Sequence, residues 1–226
     1  MRVSIIVPTL NEEKNLAHVL PRIPKMPEIV ECILADGHSS DNTTRVAKEL
    51  LPEIKVVFQD GKGKGNAILC AAKAAIGDYF LILDGDGSQM PEESPLYIEK
   101  AREGYDLVKG GRFMPGGGTE DETLFRKIIV RTANKVANVV WRTKFCDICY
   151  GMLLIDRQKY LDLGIESTGF NIEWELMIKA KRKGLMIVEI PSRERKRICG
   201  KSCISYFRDG WMIAGTVFKH AFKRRD

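Results

Sequence analysis

The feature that most constrains the fold is an alternation of short apolar runs with helix-like segments through the first half of the chain. Each apolar run has the length of a buried strand. Strand, helix and strand joined by short connections favour a parallel sheet covered by helices, so the sequence predicts an α/β fold. The predicted strands are residues 3–7, 29–35, 55–58, 79–83 and 107–109, and the predicted helices are residues 11–22, 41–51, 66–75 and 91–103. Later in the chain, helices are predicted at 124–141 and 171–183, and strands at 150–155 and 185–190.

Unusual polar residues follow several of the predicted strands. In an open parallel sheet, ligands bind at the carboxyl ends of the strands. Polar segments stand at these ends in residues 8–12, 36–40, 60–65 and 84–88. The sequence therefore predicts one ligand site along this edge of the sheet.

Asp84 and Asp86 are the strongest local signal for chemistry. At an extended strand end, residues two apart face the same side. Two neighbouring carboxylates repel each other unless a cation lies between them, and their hard oxygens suit Mg²⁺ or Mn²⁺. A solvated turn is the alternative, because Asp and Gly are common turn residues. The buried strand directly before Asp84 favours the metal site.

Three further residues at the strand ends have both a functional and a structural interpretation. Lys64 lies in a Gly-Lys loop that could hold phosphate through its charge and backbone N–H groups, although a plain turn is nearly as good an explanation. Asp36 could accept hydrogen bonds from a base or ribose, or it could cap the next helix. Glu12 could reach a nucleoside, or it could serve the electrostatics of a helix first turn.

The basic charge is concentrated in one segment. The chain has 36 Lys and Arg against 30 Asp and Glu, a net charge of +6. Residues 191–226 hold 10 basic and 3 acidic residues, and the other 190 residues hold 26 basic and 27 acidic residues. This distribution disfavours a nucleic-acid-coating protein and indicates a local anionic partner.

Apolar residues from Ile204 onward recur every three or four positions, which is the helical period. Basic residues accompany them, and Trp211 and Phe218 lie among the apolar positions. The pattern predicts an amphipathic helix in a membrane interface; packing on the chain's own domain is the alternative.

No apolar run is long enough to span a bilayer, and the N-terminus lacks a secretory signal pattern, so we expect a protein on the cytoplasmic side.

Together these segments resemble the family-two glycosyltransferases of GT-A fold over nearly the whole chain. The matching segments are VSIIVPTLNE (3–12), ADGHSSDNT (35–43), GKGNA (63–67), GDYFLILDGD (77–86), GGRF (110–113), DICYG (147–151), GFNIEWE (169–175) and RICGKS (197–202). The last of these are most similar to the dolichol-phosphate mannosyltransferase branch and its polyprenyl-phosphate glycosyltransferase relatives.

The resemblance implies a Rossmann-like, mostly parallel sheet flanked by helices, with a C-terminal amphipathic helix. Residues 1–190 would form the nucleotide-sugar transferase domain. Residues 191–226 would form a basic segment for the acceptor phosphate and the membrane interface.

The resemblance also implies a nucleotide-sugar donor and inversion at the anomeric carbon. Pro8, Glu12, Asp36 and Lys64 would bind the nucleotide. Asp84 and Asp86 would form an Asp-x-Asp motif that binds the diphosphate through the metal. The family often has Gln two positions after the second Asp; here Ser88 stands there, followed by Gln89. Ser88 is the expected further metal ligand, with Gln89 or water as alternatives.

Other residues matched to the family would contact phosphates and sugar. Arg112, Arg126 and Arg197 would act with Asp86 in catalysis by lining the donor and acceptor phosphates. The residues expected to contact the acceptor or the sugar are Asp147, Glu173, Glu175, Lys201 and Ser202. For Glu175 a helix-surface charge is the alternative.

The function implied is transfer of mannose from GDP-mannose onto a dolichyl or polyprenyl phosphate, by a peripheral protein on the inner face of the membrane. Two alternatives remain open. One is a family-two enzyme that uses another donor such as UDP-glucose, or a glycan hydroxyl as acceptor. The other is a non-catalytic module that binds lipid surfaces, against which the paired carboxylates of Asp84 and Asp86 argue.

Overall fold

The computed structural model describes the backbone of residues 1–120, 124–200 and 206–221, and the side chains of these residues other than 124–126 and 206–209. The strands are β1 Val3–Thr9, β2 Ile29–Asp36, β3 Lys55–Phe58, β4 Tyr79–Ile82, β5 Leu107–Gly111, β6 Gly118–Thr119, β7 Leu153–Asp156, β8 Ile187–Pro191 and β9 Arg193–Glu194. The α-helices are α1 Glu13–Leu16, α2 Thr43–Leu50, α3 Lys64–Ala74, α4 Ser94–Arg102, α5 Leu124–Trp141, α6 Arg157–Asp162, α7 Ile172–Arg182 and α8 Tyr206–Lys219.

Seven strands form the central sheet, in the order β3-β2-β1-β4-β7-β5-β8. All neighbouring pairs are parallel except the two that involve β7, which runs antiparallel to β4 and β5. The predicted mostly parallel α/β sheet is therefore confirmed. Because β1, β2, β4 and β5 run in the same direction, their carboxyl ends lie at one edge of the sheet.

Both faces of the sheet are buried, which explains the continuous apolar runs of the strands. Ile5 and Val7 belong to the core on one face, and Ile6 belongs to the core on the other. All three side chains are fully buried. A strand that is covered on both sides needs apolar residues at successive positions, and this is the pattern in β1.

The helix predicted at residues 11–22 is wrong in its extent. The structure has the four-residue α1 followed by a separate 3₁₀ turn at Leu20–Arg22. Asn11 has a φ of 58°, so the chain is in the left-handed region just before the helix. Pro21 lacks the N–H group that a continuing helix would need. These two positions break the helix that the sequence pattern suggested.

The C-terminal helix predicted by the periodicity is present as α8. Val217 on α8 is 4% exposed, and its carbonyl accepts a hydrogen bond of 3.2 Å from the indole N–H of Trp141 on α5. Trp211 and Phe218 on the same helix are 78% and 57% exposed. One face of α8 thus packs on the domain and another faces outward.

Residues just after β8 also contact the main domain. The short strand β9 pairs in parallel with β6 to form a second, two-stranded sheet. The division of the chain after residue 190 stays a prediction.

Across the described part of the chain, none of the helices is both long enough and apolar enough to span a membrane.

Candidate active site

A cavity of about 650 Å³ opens at the carboxyl edge of the sheet. Its charged end contains Glu12, Lys64, Asp84, Asp86 and Arg197, which are all residues that the sequence predicted at the site. Its apolar end is formed by side chains of α5 and α8. These apolar lining residues include Ile129, Ala133, Val136, Ile213, Ala214, Val217 and Phe218. The two ends are continuous, so one cavity combines a polyionic region with an apolar one.

Asp84 is held in place by the side chain of Gln89. Nε2 of Gln89 donates to Oδ2 of Asp84 over 2.7 Å, and Oε1 of Gln89 accepts from the Asp84 backbone N–H over 2.8 Å. Gln89 is 2% exposed, so this paired contact is shielded from water. Gln89 was predicted as an alternative metal ligand. In the structure, both its amide oxygen and its amide nitrogen orient Asp84.

Lys64, at the start of α3, lies between two carboxylates. Its Nζ is 2.8 Å from Oδ1 of Asp84 and 3.0 Å from Oε1 of Glu173. Burial opposes the charge of Lys64, but Asp84 and Glu173 together raise its pKa above the ordinary value. Burial and the nearby Asp86 raise the pKa of Asp84, while Lys64 acts in the opposite direction.

The glycines around Lys64 have a packing role. Gly63 has a φ of 94°, and a Cβ atom there would lie 2.3 Å from the carbonyl oxygen of Thr168. The Gly65 N–H donates to that same oxygen over 2.8 Å. The Gly65 N–H is therefore hydrogen-bonded to the protein's own backbone. The Gly-Lys loop brings Lys64 to the site by packing closely on residues 167–169.

Asp86 is oriented by Ser88, which was the predicted further metal ligand. Ser88 donates to Oδ1 of Asp86 from its backbone N–H over 3.0 Å and from its hydroxyl over 2.7 Å. The other carboxylate oxygen lies 3.2 Å from Nη1 of Arg197. Arg197 also donates from Nη2 to Oε1 of Glu12. Arg197 thus joins Glu12 to the Asp-x-Asp motif.

Of the predicted nucleoside-binding residues, Pro8 and Glu12 line the cavity, whereas Asp36 lies behind the cavity wall. The Asp36 carboxylate accepts from the Ser39 backbone N–H over 2.8 Å and from the Ser39 hydroxyl over 2.6 Å. Thr9 donates to the same group over 3.3 Å. Asp36 thus stabilises the turn after β2 and is not the N-cap of α2, which is Asn42. Its binding to a nucleoside stays a prediction.

Arg112 is buried between two acids. Its guanidinium donates to Asp147 from Nε over 2.7 Å and from Nη2 over 3.1 Å, and it donates to Glu194 from Nη1 over 2.8 Å. Burial opposes its charge, but Asp147 and Glu194 hold its pKa well above the ordinary value. Arg112 lines the cavity, and Asp147 is fully buried behind it. Direct sugar binding by Asp147 stays a prediction.

The acids of α7 face different surroundings. Glu173 reaches Lys64 in the main cavity. Glu175 accepts from the backbone N–H of Ser167 over 2.6 Å and lies 2.5 Å from Nζ of Lys179, next to a second, smaller cavity. Although burial acts in the opposite direction, the contacts with Lys179 and Ser167 lower the pKa of Glu175.

Three predicted site residues fall where the structure describes no side chain. Arg126 lies within α5, but its side chain is outside the described residues, as are Lys201 and Ser202 entirely. Their roles stay predictions.

The sequence reasoning missed several residues that shape the site. Glu194 lies in a basic segment and has no local sequence signal for its role, because its partner Arg112 is 82 positions away. Gly151 was missed as a functional position: a Cβ atom there would lie 2.6 Å from Oδ2 of Asp84 and 3.0 Å from Nζ of Lys64. The backbone of Gly151 lines the charged end of the cavity.

Comparison with known families identifies the chain. The model of the family "Glycosyl transferase family 2" matches residues 4–164, which include β1, β2, β4, β5 and the Asp84–Asp86 motif. The chain belongs to glycosyl transferase family 2.

Two relatives of this family member are similar over most of its length. A dolichol-phosphate mannosyltransferase from Pyrococcus furiosus is 31% identical over 222 residues, which cover 92% of this chain and 62% of the relative. The chain thus spans less than two thirds of that protein. A polyprenol monophosphomannose synthase from Mycolicibacterium smegmatis is 29% identical, with 97% of this chain and 86% of the relative covered.

The GT-A fold expected for a family-2 member is confirmed by solved structures. The glucosyl-3-phosphoglycerate synthase of Mycobacterium tuberculosis, crystallised with Mn²⁺, UDP and phosphoglyceric acid, superposes with a TM-score of 0.78. It is 19% identical, and the match covers 99% of this chain and 79% of the other. At this level of identity the similarity concerns the fold.

Proposed function

We propose that this family-2 member transfers mannose from GDP-mannose, with inversion, onto a dolichyl or polyprenyl phosphate at a membrane surface. The observation that supports this best is the two-part cavity, whose charged end opens directly onto apolar walls of α5 and α8. A polyprenyl phosphate has the same two parts, an anionic head and an apolar chain. The names of the Pyrococcus and Mycolicibacterium relatives support the same substrate class.

A divalent cation, Mg²⁺ or Mn²⁺, fits the residues at Asp84 and Asp86. Mg²⁺ is commonly held by one or two carboxylates together with substrate phosphates, so this pair suffices on the protein side. Burial and repulsion from Asp86 raise the pKa of Asp84, and a cation bound between the two carboxylates would offset their repulsion. When bound, the cation would neutralise charge on the diphosphate leaving group. The Mn²⁺ in the related synthase structure supports this cofactor class.

The chain's own residues supply orientation and positive charge. A phosphate acceptor is already anionic near neutral pH, so it needs alignment and charge neutralisation more than a general base. Lys64 and Arg197 bring cationic groups to the carboxylates at which the diphosphate would lie. Their positions suit stabilisation of the charge that develops on the leaving diphosphate. Gln89 and Ser88 keep Asp84 and Asp86 in fixed orientations.

The outward faces of α5 and α8 support action at a membrane surface. Val139 is 73% exposed and Trp211 is 78% exposed, and Ile128 and Phe218 are more than half exposed. Exposed Trp and Phe beside basic residues are typical of helices that lie in a lipid interface. In this proposal the protein is peripheral on the inner, cytoplasmic face of the membrane. The lipid chain enters along the groove between α5 and α8, towards the charged end.

Replacing Trp211 with Ser is expected to weaken binding to anionic phosphatidylglycerol liposomes by roughly tenfold, because an aromatic anchor is lost from the interface. Co-sedimentation of the full chain measures the effect. Phe58→Ser is the matched control, since Phe58 is a 53% exposed aromatic residue on the edge strand β3. Equal losses from the two variants, or no loss from Trp211→Ser, would contradict an interfacial α8.

Replacing Gly151 with Ala is expected to raise the Mn²⁺ concentration needed for half-maximal transfer by about tenfold. The new Cβ would lie 2.6 Å from Oδ2 of Asp84, so the carboxylate must move away from the position in which Gln89 holds it. Titration of transfer against Mn²⁺ measures the shift. Gly118→Ala controls for the general cost of the substitution, because a Cβ atom there would meet open space and the backbone of Gly118 does not have a positive φ. An unchanged Mn²⁺ requirement would show that Asp84 tolerates the displacement.

A direct assay tests the proposed function. The protein is incubated with labelled GDP-mannose or UDP-glucose, Mn²⁺, and either a short polyprenyl phosphate or the matching polyprenol. Labelled lipid is expected from GDP-mannose with the phosphate only. Product from UDP-glucose would reassign the donor, and product from the polyprenol would indicate a hydroxyl acceptor. No labelled lipid with any donor would overturn the proposal.

A further inference from the structure

A short segment of the C-terminal region crosses directly over the Asp-x-Asp turn. We call residues 195–199 the strap. The Arg195 N–H donates to the Ser88 carbonyl over 2.7 Å, and the Ile198 N–H donates to the Asp86 carbonyl over 3.4 Å. The Ile198 side chain lies against Gly87, where a Cβ atom would be 2.6 Å from Cδ1 of Ile198. One side of the strap is therefore attached to the loop that contains Asp86.

The end of the strap is attached to α1 by a single buried side chain. Nδ2 of Asn15 donates to the Cys199 carbonyl over 3.2 Å, and Oδ1 of Asn15 accepts from the Cys199 N–H over 2.9 Å. Nδ2 also donates to Oε2 of Glu12 over 2.5 Å. Asn15 is 2% exposed. Its amide thus binds the Cys199 backbone as a donor and as an acceptor at the same time.

Arg197 shares both partners of Asn15. Its Nε donates to the Cys199 carbonyl over 2.7 Å, and its Nη2 donates to the other carboxylate oxygen of Glu12. Its Nη1 lies 3.2 Å from Oδ2 of Asp86. Asn15, Glu12, Cys199 and Arg197 therefore form a closed ring of hydrogen bonds, and the guanidinium of that ring touches the Asp-x-Asp motif.

We propose that Asn15 is a positioning residue for Arg197: it fastens the strap across the metal-binding turn and thereby sets the place of the guanidinium at the donor diphosphate. The inference rests on the proposed function for the presence of a diphosphate beside Asp86. Its physical basis is preorganisation, because an arginine held before the reaction loses no orientational freedom during it. Asn15 suits this task since a side-chain amide can satisfy a backbone N–H and a carbonyl at once.

Hydrogen–deuterium exchange tests the attachment without any activity. In Asn15→Ala, amides in the peptide that covers residues 195–199 are expected to exchange about tenfold faster than in the wild type. Asn134→Ala is the matched control, because Asn134 is a buried amide that likewise donates to backbone carbonyls, those of Phe145 and Cys146, and accepts from the Ile148 N–H. Unchanged exchange in the strap would overturn the proposal. Should Asn15→Ala fail to fold, Asn15→Ser, which is smaller but still polar, provides the same measurement.

A double-mutant cycle on transfer rate tests whether Asn15 acts through Arg197. Asn15→Ala is expected to lower kcat/KM about tenfold when Arg197 is present, and less than twofold in an Arg197→Ala background. Equal losses in both backgrounds would show a general structural role and overturn the proposal. If the wild type transfers no sugar to any acceptor, the proposed function fails, whereas the exchange experiment still decides whether Asn15 holds the strap.

Discussion

Replacement of Asp86 by Asn is expected to lower the rate of sugar transfer by about a thousandfold, while the protein remains folded. The substitution preserves the shape of the side chain but removes one of the two negative charges proposed to hold the metal. It also removes one of the anionic partners of Arg197, whose Nη1 lies 3.2 Å from the Asp86 carboxylate and whose Nη2 donates to Glu12. Groups that stabilise charge in the transition state commonly contribute effects of about this size. Initial rates with labelled donor and polyprenyl phosphate measure the loss.

Asp162→Asn is the matched control for Asp86→Asn. Asp162 is an exposed residue on α6 that accepts a hydrogen bond from Gln158 and lies outside the cavity lining. Its substitution is expected to leave the rate within about twofold of the wild type. Comparable activity of Asp86→Asn and the control would refute a role for Asp86 in transfer. Circular dichroism of both variants checks that a loss of rate does not come from unfolding.

Replacement of Arg112 by Met is expected to lower the free energy of unfolding by about 3–5 kcal/mol, because it leaves two buried carboxylates without their cation. Asp147 is fully buried and Glu194 is 8% exposed, so both carboxylates are largely shielded from water. The guanidinium also stacks near the rings of Phe113 and Tyr150, at 5.3 and 5.2 Å from their centroids, and this contact is lost as well. Urea denaturation followed by fluorescence measures the change.

Arg2→Met is the control for Arg112→Met, since it breaks an ion pair that is mostly exposed. Arg2 lies 3.2 Å from Asp78, and their side chains are 58% and 49% exposed. Exposed pairs contribute about 0–1 kcal/mol, so a small change is expected. Arg112→Lys separates charge from geometry: it keeps the charge but loses the paired contact with Asp147, and an intermediate loss is expected. Equal changes for Arg2→Met and Arg112→Met would contradict the buried ion cluster.

The strands were the most predictable part of the fold. A strand that is buried on both faces must be apolar at successive positions, so its signal is contained within a few adjacent residues. The buried strands β1 and β2 follow this rule, and the structure extends the predicted strands by two residues and one residue. The edge strand β3 also lies at the predicted residues 55–58, although it is only partly buried. The first helix was less predictable. Its composition suited a longer helix, but the left-handed conformation of Asn11 delays its start, and Pro21 prevents its continuation.

The site was predictable in its residues but not in their pairing. Local reasoning placed Asp84 and Asp86 at a strand end, and the structure has them at the cavity. The resemblance to the family implied Ser88 as a metal ligand, with Gln89 as an alternative. In the structure their side chains orient Asp86 and Asp84, and metal binding by Ser88 stays a prediction. The resemblance also grouped Glu173 with Glu175, although the helix turns these residues towards different cavities.

The sequence by itself determined the α/β class, the order of the strands along the chain and the set of charged residues at the strand ends, because each of these depends on neighbouring positions. Only the tertiary structure decided which charges meet. Arg112 and Glu194 are 82 positions apart, and Arg197 and Glu12 are 185 positions apart. No local period encodes such contacts. They arise because the sheet fixes where each loop ends, and because a buried charge is stable only where a partner of opposite sign lies within reach.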